Sequence, residues 1–127
     1  MFKLLATVVT LLVTTISAMC TLTEAVNFEG FYDDPNHPNC LRIIKRLDAT
    51  NVAVSGTDGN PGCPPDGSGE EWNLMGTVDD DNIIVDFTPK GGPKDLKGLW
   101  EPEPVPGIRW PDGNIWTKKQ TIGKTIE

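Results

Sequence analysis

Past residue 26 the apolar positions of this chain alternate with polar ones, the period of strands rather than helices. Leu41, Ile43, Lys45 and Leu47 share one face of a predicted strand, and Val52 and Val54 resume the pattern after a short Asp48-Ala49-Thr50 link. Trp72, Leu74, Gly76 and Val78 alternate with Glu71, Asn73, Met75 and Thr77, and Ile83, Val85 and Phe87 alternate with Ile84, Asp86 and Thr88. Asp79-Asp80-Asp81-Asn82 lies between those two runs and suits a hairpin. Ile108-Arg109-Trp110 and Ile115-Trp116-Thr117 flank Pro111-Asp112-Gly113-Asn114, a second tight hairpin whose Asp-Gly supplies the positive φ such turns require. Adding Phe28–Tyr32 and Leu96–Glu101 makes about eight short strands joined by tight turns, the spacing of a sandwich or barrel. Sequential hairpins form a meander, and a small meander loses its exposed edges by closing on itself. The predicted fold is all-β, a small antiparallel barrel, with an open β-sandwich as the alternative.

Two loops interrupt the strands. Ser55 to Gly69 is dense in Gly, Pro and Asp and carries Cys63 at its middle, and Thr88 to Pro93 carries Lys90-Gly91-Gly92-Pro93. No helical run is predicted after residue 26, because Gly and Pro recur too often. A Cys40–Cys63 disulfide would pin the first loop to the start of the second strand. It would close about 24 residues, worth about 3 kcal/mol in the chain-entropy model.

Ahead of the strands, Met1-Phe2-Lys3 carries one positive charge, Leu4 to Ile16 is an apolar and hydroxyl run, and small residues follow at Ser17, Ala18 and Ala25. That is the layout of a secretory signal peptide, and the run is shorter than the about 20 residues a membrane span needs. Residues 1–25 are therefore read as a signal peptide, with a cut after residue 18 as the alternative. Residues 26–119 form a single β domain and 120–127 a frayed tail. The late cut removes Cys20 and leaves Cys40 and Cys63 as an even pair, whereas the early cut leaves an odd thiol. The expected address is the secretory pathway or the cell exterior, with a complex plastid as the alternative.

Charge narrows the partners. Eighteen acidic residues against eleven Lys and Arg give a net charge of −7, with no basic stripe, which argues against nucleic acid and anionic membrane surfaces. The acidic loops Asp58-Gly59-Asn60 and Asp66 to Glu71 raise calcium, but counting from Asp58 puts Cys63 at the sixth position and Gly69 at the twelfth, where an EF-hand needs Gly and Glu. Calcium therefore stays a minor expectation, with no metal ligand assigned. His37, the single histidine, reads as a solvated loop imidazole in a turn-rich stretch. Asp86 reads as solvent-facing in its strand, and no nucleophile motif or P-loop is present, so no catalytic residue is assigned.

The four tryptophans are the strongest lead. Trp72, Trp100, Trp110 and Trp116 all fall in the strand-rich half, and Trp110 and Trp116 bracket Asp112 and Asn114. Rings beside Asp and Asn are the composition of a sugar-binding surface, and inside a barrel the same rings would line an apolar pocket. The plainer reading is that a small β domain uses Trp to fill its core.

Three stretches carry a resemblance: Asp58-Gly59-Asn60-Pro61-Gly62-Cys63-Pro64, Asp86 to Pro93, and Ile108 to Trp116. Together they resemble a group of small secretory-pathway proteins of uncertain function from algae and other marine microbes, over most of residues 28 to 119. The resemblance implies no activity and transfers no catalytic residue. A looser likeness to avidin-like and lipocalin-like barrels runs through Gly30-Phe31-Tyr32 and the later Trp-bearing meander, although the Trp usual in a lipocalin's first strand is absent. The expected function is a secreted, non-catalytic binding protein for a carbohydrate or a small apolar ligand. Its expected contacts are Trp72, Trp100, Trp110, Asp112, Asn114 and Trp116. A surface or matrix protein with cation-holding acidic loops is the alternative, and a small hydrolase the second alternative.

Overall fold

A computed structural model of the protein describes residues 25–120. The predicted leader with its early cut site and Cys20, and the tail beyond residue 120, lie outside them. Eight strands follow in order: β1 Gly30–Asp33, β2 Arg42–Arg46, β3 Asn51–Asp58, β4 Glu70–Asp79, β5 Asn82–Val85, β6 Leu96–Glu101, β7 Gly107–Arg109 and β8 Ile115–Lys118. Each pairs antiparallel with the next, and β8 returns to β1 through Tyr32↔Lys118 and Asp33↔Thr117, so the sheet is a closed barrel. Closure satisfies both edge strands within the chain, the reason a short meander favours it over a sandwich. The helical element among the described residues is a single 3-10 turn, Thr88–Lys90, and no helix among them is long and apolar enough to cross a membrane.

Alternation decides what fills the barrel. Val52, Val54, Leu74, Ile83, Val85 and Ile108 point inward with Tyr32 and Ile44, all nearly inaccessible. Phe28 closes one end, edge-on to Trp100 at 5.5 Å between ring centroids. Trp72, Trp110 and Trp116 belong to this core. Each buried side chain of this size contributes roughly 1.5–3 kcal/mol relative to exposure. Two glycines make room for the indoles. A Cβ on Gly56, the cross-strand partner of Trp72, would lie 2.5 Å from Trp72 Cζ2 and 2.2 Å from the Leu41 carbonyl oxygen. One on Gly98 would lie 3.0 Å from Trp110 Cζ3 and 2.6 Å from Ile108 Cγ2.

The structure corrects three boundaries. The first strand runs Gly30–Asp33 rather than from Phe28, which packs below it as a plug. Ser55 to Asp58 extend β3, pairing with Asn73 to Glu70, so the loop proper begins at Gly59. In β2 the face carrying Leu41, Ile43 and Lys45 is the outer one, and Arg42 and Ile44 point inward. A charged residue thus occupies a core position that the apolar count assigned to no one.

Candidate functional site

Up-and-down topology places the ends of the odd strands and the starts of the even strands at one rim. The loops there are long: Asp34–Leu41, Gly59–Gly69, Asp86–Asp95 and Trp110–Asn114. At the opposite rim the β4–β5 turn needs only Asp80-Asp81 between its strands. Two of the long loops are tied by the Cys40–Cys63 disulfide, with Cα atoms 4.8 Å apart. Thr57 ties the same loops again: its hydroxyl accepts from the Leu41 N–H at 2.9 Å and donates to the Gly67 carbonyl at 2.7 Å. A stiff barrel presenting long, braced loops at one end is the usual layout for a binding site.

Arg42, the first residue of β2, plugs the barrel beneath this rim and is 1 % exposed. Its Nε donates to Asp34 Oδ2 at 3.1 Å, its Nη1 to the Leu41 and Thr57 carbonyls at 2.9 and 2.6 Å, and its Nη2 to Asp58 Oδ1 at 3.1 Å. The guanidinium also lies between two indoles, 5.1 Å from the Trp72 ring centroid and 5.5 Å from that of Trp116. Buried cations persist only when paired and hydrogen-bonded, and Arg42 meets both conditions. Its donors are committed to the protein, so it shapes the site rather than reaching for a ligand.

Asp34 is the second hub. Its Oδ2 accepts from Arg42 and from His37 Nδ1 at 2.9 Å, and its Oδ1 accepts from the Asn36 N–H at 3.0 Å and from Asn114 Nδ2 at 2.9 Å. Burial by itself would raise this carboxyl, but the Asn114 and His37 hydrogen bonds, the Arg42 charge and the Asn36 N–H outweigh it and hold it below the usual carboxylate range. An ionised carboxylate accepts only, so His37 Nδ1 is the donor, and in the neutral imidazole Nε2 is left as an acceptor. His37 is therefore not a free loop imidazole but one fixed by its neighbour three residues back. Asp58 is held down in the same way. Its burial works upward, while the hydrogen bond and charge of Lys90 and the charge of Arg42 work downward and prevail. Lys90 Nζ meets Asp58 Oδ2 at 2.6 Å and stands 4.3 Å from the Trp72 ring centroid.

Above this network is a cavity of about 180 Å³. Phe87, Trp110 and Trp116 form its apolar wall, with Trp110 and Trp116 edge-on at 5.0 Å and Phe87 edge-on to Trp110 at 5.5 Å. His37, Asn114 and Lys90 supply polar atoms, and Asp112 stands at the lip. The Trp110 indole N–H is buried without a hydrogen-bond partner. A larger hollow of about 490 Å³ at the opposite rim, lined by Val26, Arg46, Val78 and Asp81 among others, has no aromatic wall and no comparable convergence of polar groups.

The expected contact residues divide accordingly. Trp110, Asp112, Asn114 and Trp116 come together at this cavity. Trp72 stands beyond Lys90, on a neighbouring cavity, and Trp100 lies at the far end against Phe28. Trp72, Trp110 and Trp116 are core residues, of which Trp110 and Trp116 line the site, whereas Trp100 is half-buried. Asp34, His37, Arg42, Phe87 and Lys90 were not expected there. The one signal available was the Asp34-Pro35-Asn36-His37 turn, whose spacing lets an Asp side chain reach both the Asn36 N–H and the His37 ring.

No Ser, Thr or Cys lines the cavity, and the carboxylate behind His37 is saturated by four donors. Asp86, half-buried, makes an Asx turn just ahead of the 3-10 turn, accepting from the Thr88 N–H at 3.0 Å and its hydroxyl at 2.6 Å. Among the described residues no group of three His, Cys, Asp or Glu converges as a metal site would need. No family model, curated protein or solved structure matches this chain.

Proposed function

We propose that this is a secretory-pathway binding protein that holds a small, neutral, hydroxyl-rich ligand, a single carbohydrate unit, in the rim cavity without transforming it. The observation that carries this reading is the pairing of three aromatic rings with polar groups whose charges are already compensated inside the protein. Arg42 is neutralised by Asp34 and Asp58, and Lys90 by Asp58. What remains for a ligand is an imidazole nitrogen, an amide oxygen and the spare N–H donors of Lys90, a mixed set that hydroxyls, at once donors and acceptors, satisfy. A space of about 180 Å³ corresponds to roughly six waters, close to what one sugar ring displaces. The alternative of a small apolar ligand inside the barrel has less support, since Ile44, Val54, Ile83, Val85 and Ile108 already fill the interior. The cation-holding matrix reading also has less, because Asp58 is engaged by Arg42 and Lys90 and Asp66 by the Ser68 N–H.

The test is a tryptophan-fluorescence titration with glucose, galactose, mannose and N-acetylglucosamine. Binding of one of them is expected to shift the emission. Trp110→Phe keeps a ring in the core but shortens the aromatic wall, and is expected to weaken that binding roughly three- to tenfold. A panel with no response, or a folded Trp110→Phe variant of unchanged affinity, would sink the proposal.

A further inference from the structure

Two buried side-chain polar atoms lack a hydrogen-bond partner among the described residues, and both are indole nitrogens, Nε1 of Trp110 and Nε1 of Trp72. They do not share a cavity. Trp110 lines the 180 Å³ cavity, and Trp72 lines a second one of about 230 Å³ at the same rim. Lys90 belongs to both linings and forms the wall between them. We infer that the rim holds two subsites on either side of Lys90, and that its ligand is a neutral oligosaccharide that crosses this lysine.

The inference rests on the carbohydrate reading of the first cavity and extends it by the following argument. Each cavity is walled by one of these indoles, whose ring is an apolar surface on which the C–H face of a sugar packs. Trp72 Nε1 lies close to Asp58 and helps hold its carboxyl down, so this indole offers the second cavity its ring rather than a free donor. Lys90 carries three N–H donors, and Asp58 Oδ2 takes one. The others are free for oxygens arriving from either side. The second cavity adds the carboxylates of Glu70 and Glu71 and the amide of Asn73. An acceptor-rich wall of that kind takes hydroxyl protons and repels uronate or sulfate groups, as does the net charge of −7. Each cavity is too small for more than about one sugar unit on the same displaced-water comparison. The shared Lys90 wall makes a linked pair the fitting occupant.

The experiment is calorimetric titration of the full domain with a monosaccharide from the panel, its β-1,4-linked di- and tetrasaccharide, and a tetrasaccharide of uronic acids. The neutral oligosaccharides are expected to bind at least tenfold more tightly than the monosaccharide, and the uronate chain to gain nothing. Trp72→Phe should reduce the gain roughly three- to tenfold. That variant removes packing against Gly56, so Asn73→Trp, at the exposed rim, serves as the second probe. It fills the second cavity and should collapse oligosaccharide affinity onto the monosaccharide value. Monosaccharide binding with no gain from chain length would overturn the two-subsite inference and leave the carbohydrate reading standing. So would a gain that survives Asn73→Trp, or an equal gain from the uronate chain. Binding of none of these sugars would overturn both.

Discussion

Replacing Arg42 with Met is the sharpest way to probe the plug beneath the site. Met follows the side chain as far as Nε and stops short of the guanidinium that lies between the Trp72 and Trp116 rings, so the loss combines the removed charge with lost packing there. The substitution leaves the buried Asp34 carboxylate, 5 % exposed, with three hydrogen bonds but without its guanidinium, and removes one of the two cations on Asp58. Taking away one partner of a buried pair costs about 3–5 kcal/mol. In a domain of this size each kcal/mol moves the melting temperature by roughly 4–8 °C, so a fall of roughly 12–40 °C is expected. The assay is urea unfolding followed by tryptophan emission, repeated from neutral pH down to about pH 3, below the unfolded aspartate pKa. In the wild type the folded pKa of Asp34 lies below its unfolded value. Its stabilisation is therefore full above the unfolded pKa and is lost as pH falls through the folded one. In the variant the Asn114, His37 and Asn36 hydrogen bonds remain but the guanidinium charge is gone, so the folded pKa lies above the wild-type one and the variant loses less stability as the carboxyl protonates. The gap between the two proteins should be widest at neutral pH and narrow below about pH 4, where the carboxyl protonates. Adding Asp34→Asn and Asp58→Asn to Arg42→Met should recover much of the loss, since the stranded charges are gone. A pH-independent gap, or no recovery in the triple variant, would refute the stranded-charge reasoning.

Two further outcomes are expected. Gly56→Ala should destabilise the domain by roughly 1–3 kcal/mol, because its methyl would meet both the Leu41 carbonyl and the Trp72 ring, an overpacking cost that chemical denaturation can measure. Replacing Cys40 and Cys63 by serine together should cost about 3 kcal/mol for a span of 23 residues, with the wild type matching the double variant once reductant is added.

Much of this architecture was readable from local signals. The two-residue alternation located the strands, and the Asp-Gly and Asp-Asp turns located the hairpins, because both depend on residues adjacent in sequence. The parity of the cysteines after a late cut pointed to Cys40–Cys63 for a similar reason, with few alternatives to exclude. The β6 strand occupies the predicted Leu96–Glu101 span.

What stayed hidden depended on contacts distant along the chain. Strand β2 offered two alternating sets, Leu41-Ile43-Lys45 and Arg42-Ile44-Arg46, and hydropathy favours the first as a core face. Tertiary structure reverses that choice because Asp34, Asp58 and two indoles surround the inward Arg42 and compensate its charge. The site itself was half legible. Trp110, Asp112, Asn114 and Trp116 are neighbours in one hairpin, so sequence alone grouped them. Asn114 reaches Asp34 across 80 residues, and Lys90 and His37 arrive on two other loops. Only closure of the barrel, which brings β1 beside β8, puts these side chains around one cavity. Sequence determined the strands, their turns and the disulfide, since each is set by short-range geometry and chain entropy. Tertiary structure decided which face of β2 is inside, which tryptophans are core and where the cavities lie, because burial and charge compensation exist only once distant strands have met.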